Sequence, residues 1–132
     1  MASRIEQQIT FLYAEAPEAS WRFYEEVLEL PLVRDQGDVR IYAAGGGFLG
    51  ICRARQPGQA VLRAQGSAMV TLVTEDVEGW RAALAAKGVD VPESCARWER
   101  YGITHFFFRD PAGYTLEIQR FDAPIGKSAS AG

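Results

Sequence analysis

The stretch Tyr101 to Phe121, YGITHFFFRDPAGYTLEIQRF, constrains this chain more than any other, because it reads as two strands joined by a tight turn. In Asp110-Pro111-Ala112-Gly113 the Asp side chain can bond its own downstream backbone, Pro presets φ near −65° and Gly accepts positive φ. The segment is therefore a hairpin. On its return strand Tyr114, Leu116 and Ile118 alternate with Thr115, Glu117 and Gln119, the period of two expected when one face packs a core. Glu117 points away from that core. Pairing Arg109 with Tyr114 across the turn sets Phe106 opposite Glu117 and His105 opposite Ile118 on the core side, whereas a bulge would reverse the assignment.

Read in order, the rest of the chain supplies the partners of this hairpin. IEQQITFLYA (5–14) is a strand. Pro17 suits a first helical position and Glu18 complements the helix dipole. The helix runs to about Leu28, with Ala19, Phe23 and Val27 on one face beside Trp21, Tyr24 and Leu28. Short strands follow at about Leu32 to Asp35, Val39 to Ala43 and Phe48 to Arg53, separated by Gln36-Gly37-Asp38 and Gly45-Gly46-Gly47. Residues 54–66 have the composition of a linker. A second series begins with a strand at Ala68 to Thr74. Asp76 then caps a helix with Val77, Trp80 and Leu84 on one face, closed by Lys87 and Gly88. Val89 to Val91 starts another strand, and Ser94 to Arg100 is a loop or edge segment before the hairpin. The tail, 122–132, is small and polar and is expected to fray.

The order is β-α-β-β-β twice, which predicts a single α+β domain over residues 1–132: module one about 5–53, linker 54–66, module two about 67–121, flexible tail 122–132. Two such modules edge to edge would make a half-open barrel with a cleft, where a ligand belongs. With 48% apolar and 23% charged residues the balance is that of a globular protein. The net charge of −3, without a basic stripe, argues against nucleic-acid binding. No run of about 18 apolar residues is present to span a membrane. Two well-separated cysteines and an N-terminus without an apolar signal core point to free thiols and a cytoplasmic location. The three-glycine turn joins two strands rather than opening a helix, which excludes a nucleotide loop.

The DPAGYTLEIQRF segment, together with this module order, resembles the closing hairpin of the vicinal oxygen chelate superfamily, the glyoxalases, bleomycin-resistance proteins and extradiol dioxygenases. The resemblance covers residues 5 to 121. It implies paired βαβββ modules, a small-molecule ligand in the cleft and a homodimer, with a divalent metal held by four strand positions. Here those positions carry Ile9, Gly50, Met69 and Glu117. Only Glu117 can bind a hard cation, so neither metal nor other cofactor is expected. Glu117 is the first candidate for acid or base work and His105, the only histidine, the second. Ile9, Phe11, Tyr13, Gly50, Met69, Tyr101, Phe106 and Phe108 are the expected ligand-facing residues, with Trp98 near the end of the same wall. The function expected is metal-independent binding of a partly apolar or aromatic molecule; the alternative is a glyoxalase-like lyase, isomerase or dioxygenase using Glu117.

Overall fold

A computed structural model describes residues 4–55, 68–123 and 125. The expected linker lies outside the described residues from 56 onward, and so does most of the expected tail. The chain forms two compact units: one comprises residues 1–67 with Asp110–Tyr114, the other 68–109 with Thr115 onward.

In the first unit, β1 (Ile9–Ala14) leads to α1 (Pro17–Arg22), which starts on Pro17 with Glu18 in its first turn. The helix then widens into a π-helical turn, Phe23–Val27, where Leu28 N–H donates to Phe23 O at 3.0 Å. This turn buries Phe23 and Tyr24, while Ala19, expected on the core face, is exposed. β2 (Leu32–Asp35), β3 (Val39–Ala44) and β4 (Gly47–Arg53) complete a sheet in the order β1-β4-β3-β2, with β1 parallel to β4 and the other pairs antiparallel. Trp21, Tyr24, Leu12, Ala14, Tyr42 and Ile51 fill its core, and Trp21 Nε1–H donates to Ile51 O at 2.9 Å.

The second unit repeats the plan with β5 (Met69–Val73), α2 (Val77–Ala86), β6 (Ala96–Trp98), β7 (Ile103–Arg109) and β8 (Thr115–Phe121), in the sheet order β5-β8-β7-β6. Asp76 caps α2 by accepting from Gly79 N–H at 3.0 Å, and Gly88 closes it at φ 86°. The strand expected at Val89 to Val91 is not formed. Val89 N–H is taken by Leu84 O as part of the helix end and Pro92 has no donor, so pairing to β7 falls to β6 instead. Val77, Leu84, Phe106, Phe108, Leu116 and Ile118 make the core.

The hairpin closes one residue wider than the turn rule predicts. Asp110 N–H donates to Tyr114 O at 3.0 Å, so Arg109 pairs with Thr115 rather than with Tyr114. Every cross-strand face assignment between β7 and β8 reverses with that slip. Phe107 opposes Glu117, His105 opposes Gln119, and Phe106 and Phe108 oppose Ile118 and Leu116.

Candidate functional site

In the second unit the corrected register puts His105 and Glu117 on the same face of the sheet, the one turned away from the core. Glu117 sits in the middle of β8, between β5 and β7. Thr71 Oγ1–H donates to Glu117 Oε1 at 2.8 Å, and His105 Nδ1 lies 2.8 Å from Oε2. The ring N–H is not aimed squarely at that oxygen, so the contact is a close electrostatic approach rather than a linear hydrogen bond. Both side chains are almost wholly buried, at 1% exposure for His105 and 2% for Glu117. The Trp98 ring covers His105 at a centroid distance of 4.2 Å, and Phe107 meets it edge-on at 4.9 Å. His105 Nε2 is buried without a hydrogen-bond partner among the described residues. A carboxylate against an imidazole in apolar cover can hold or pass one proton.

In the first unit Ile9, Phe11 and Tyr13 alternate onto the face opposite the buried Leu12 and Ala14. They pair with Phe48, Gly50 and Cys52 of β4. The Cδ1–Cε1 edge of the Phe11 ring sits against Gly50; a Cβ there would come within 2.3 Å of Phe11 Cδ1, so only glycine admits this packing. Beside that ring is a pocket of about 470 Å³ lined by Gln7, Ile9, Phe11, Val33, Arg34, Gln36, Ile41 and Phe48. Tyr13 is fixed from behind: its N–H donates to the Tyr114 hydroxyl, which donates in turn to Tyr13 O, both at 2.9 Å.

The remaining sequence-predicted residues divide. Met69 is half exposed on β5, on the face of Thr71 and Glu117. Tyr101 stands in the turn before β7, 60% exposed, against Trp98 at 6.0 Å. Phe106 and Phe108 do not line this face. They are buried on the core side of the sheet as a consequence of the slipped register, and Phe107 takes the place expected for them. The core-side placement read for His105 is corrected by the same slip. Sequence reasoning passed over Thr71, which parallel pairing of β5 with β8 sets directly beside Glu117; its position two residues after Met69 was the available signal. It also passed over Phe107, Val33 and Arg34.

The residues present do not fit a hard divalent cation. Among the described residues no three His, Cys, Asp or Glu side chains converge. Ile9 and Gly50 offer no donor, Met69 offers a soft thioether, and both oxygens of Glu117 are already met by Thr71 and His105.

Two mixed sheets, each built from a βαβββ module and each presenting one face that its helix does not cover, define a paired-module α+β protein. The family model of the Glyoxalase/Bleomycin resistance protein/Dioxygenase superfamily matches residues 7–118, and the chain belongs to that superfamily. Solved structures share the fold. Lactoylglutathione lyase from Agrobacterium tumefaciens is similar at 25% identity, covering 90% of this chain and 94% of its own, with a TM-score of 0.68. A glyoxalase/bleomycin resistance protein/dioxygenase from Nocardioides is similar at 20% identity, over 96% and 91% of the two chains, with a TM-score of 0.72. TioX from Micromonospora sp. ML1 shares 20% identity over 87% and 98%, with a TM-score of 0.70. No curated protein matches the chain in sequence. No helix among the described residues is long and apolar enough to cross a membrane.

Proposed function

We propose that this protein binds a small, partly apolar or aromatic molecule without a metal. The observation that carries the reading is the pocket beside Phe11, which has aromatic and aliphatic walls, a volume in the range of small-molecule sites and no carboxylate, imidazole or thiol among its described lining residues. The side-chain chemistry at Ile9, Gly50 and Met69 supports independence from metal, as does the engagement of Glu117 by its neighbours. Half-exposed Met69, Val73, Trp98 and Phe107 on the second sheet are apolar surface that a second copy of the chain would cover, which supports a homodimer.

Native mass spectrometry of freshly purified protein tests the reading. The expected species is a metal-free dimer carrying an organic adduct, with the adduct lost in Phe11→Ala. A stoichiometric divalent metal would refute metal independence, and an adduct retained undiminished in Phe11→Ala would refute the pocket. The 2.8 Å approach of His105 to Glu117 favours a second reading, a lyase or isomerase that moves a proton. On that reading, solvent deuterium exchange into a carbonyl substrate should fall by about 10²–10⁴-fold in Glu117→Gln. Exchange that survives the substitution rules it out.

A further inference from the structure

The first unit's pocket has one cation, Arg34, among its described lining residues. Regular alternation along β2 would turn Val33 and Arg34 to opposite faces. The register against β3 shifts between Leu32 and Arg34, with Leu32 opposite Tyr42 and Arg34 opposite Ile41. Ile41 belongs to the face of Gly50 and Phe11, and the bulge brings both Val33 and Arg34 to the pocket lining. Bulges are a recurrent means of re-aiming a side chain toward a site. Its neighbour Asp35 does not follow. It turns to Arg40, 3.5 Å away, which in turn holds Glu25 at 2.6 Å. Among the described residues Arg34 makes no ion pair and no carboxylate lines the pocket. The two other polar lining residues, Gln7 and Gln36, are neutral and can donate through their amides.

Resting on the binding reading above, we propose that the ligand of this pocket is a flat apolar body bearing a single carboxylate. The body packs on Phe11, Ile9, Ile41 and Phe48, and the carboxylate meets the Arg34 guanidinium with the amides of Gln7 and Gln36 beside it. The guanidinium fork matches a carboxylate in two parallel hydrogen bonds. Phe11 and Phe48 in the lining offer aromatic surface against which a flat body can pack.

The test compares 2-naphthoate with its neutral isostere 2-naphthamide by titration calorimetry of the full chain. The wild type should bind naphthoate about tenfold more tightly than the amide, the scale of a charge-assisted hydrogen bond. Arg34→Met should abolish that preference without weakening the amide, and Arg34→Lys should restore part of it. Gly50→Ala, which pushes the Phe11 ring off β4, should weaken both probes. Equal binding of the two probes by the wild type overturns the proposal, and this comparison needs no variant to fold. A preference that persists in Arg34→Met overturns it as well. If both probes bind equally and both are lost in Phe11→Ala, the apolar pocket stands and only the carboxylate falls. If neither probe binds, the carboxylate and the binding reading fall together.

Discussion

Replacing Tyr24 by Phe removes one oxygen from the most constrained polar contact of the first unit, and its effect can be worked out from the geometry. Asp110 is 5% exposed. Its Oδ1 accepts from Ala112 N–H at 3.0 Å and Tyr114 N–H at 2.9 Å, and its Oδ2 accepts from the Tyr24 hydroxyl at 2.8 Å. Burial pushes the Asp110 carboxyl up, while the Tyr24 hydroxyl and the backbone donors pull it back. Burial, followed by the charge of Asp110, holds the Tyr24 hydroxyl well above the ordinary phenol range, so it remains a donor throughout neutral pH. Phe keeps the stack of the Tyr24 ring on Tyr42, at 6.0 Å, and deletes only the donor. A buried carboxylate oxygen left without its charge-assisted bond costs about 1.5–3 kcal/mol. For a chain of this size that corresponds to a melting point lower by roughly 5–10 °C.

The pH dependence follows from the direction of the Asp110 shift. A folded-state value raised above the unfolded one means that the folded protein takes up the proton first. The cost of the buried charge is then fully present above the folded value, is relieved as pH falls through it, and changes no further below the unfolded value. Tyr24→Phe raises the folded value further, so its deficit should shrink on acidification through that window. Urea unfolding followed by circular dichroism, at neutral pH and at stepwise lower pH, measures it, with Asp110→Asn completing a double-mutant cycle. A deficit below about 0.5 kcal/mol at neutral pH, the size of an ordinary surface change, would refute the reasoning, and so would one that grows with acid.

Thr71→Val should destabilise the second unit by about 1–3 kcal/mol in the same urea assay, because it leaves Glu117 Oε1 buried without its donor. An unchanged midpoint would mean that water replaces the hydroxyl. Asp76→Ala should cost about 1 kcal/mol through the lost cap on Gly79 N–H, with faster amide exchange confined to the first turn of α2 as the check. Burial and the Sγ–H bond to Glu78 Oε2 at 3.2 Å push the Cys95 thiol up to about 11. Alkylation by iodoacetamide at pH 8 should therefore be slow and should rise about tenfold in Glu78→Gln; equal rates would remove the hydrogen bond as the cause.

Within a strand, alternation specifies which residues share a face. Leu116 and Ile118 stand on the core side and Glu117 across from them, as the pattern of β8 implies. Local chemistry also located the caps of α2 and the turn at Asp110. Between strands the same pattern is silent, because register is decided by how a turn closes. Here Asp110 captures two backbone donors and a hydroxyl 86 residues earlier in the chain, and no local rule for Asp-Pro-Ala-Gly contains that third partner. One residue of extra width moved His105 from the core to the side of Glu117 and exchanged Phe107 for Phe106 and Phe108. The bulge at Val33 has the same character: nothing in Leu-Val-Arg-Asp announces it, yet it brings Arg34 to the pocket. The expected fold survives either error, since a slipped register still makes a βαβββ sheet. The sites do not, since each is a pair of side chains on different strands, His105 with Glu117 and Arg34 with Phe11. It follows that a substitution altering a turn's closure can change which side chains meet at a site while leaving the strands themselves in place.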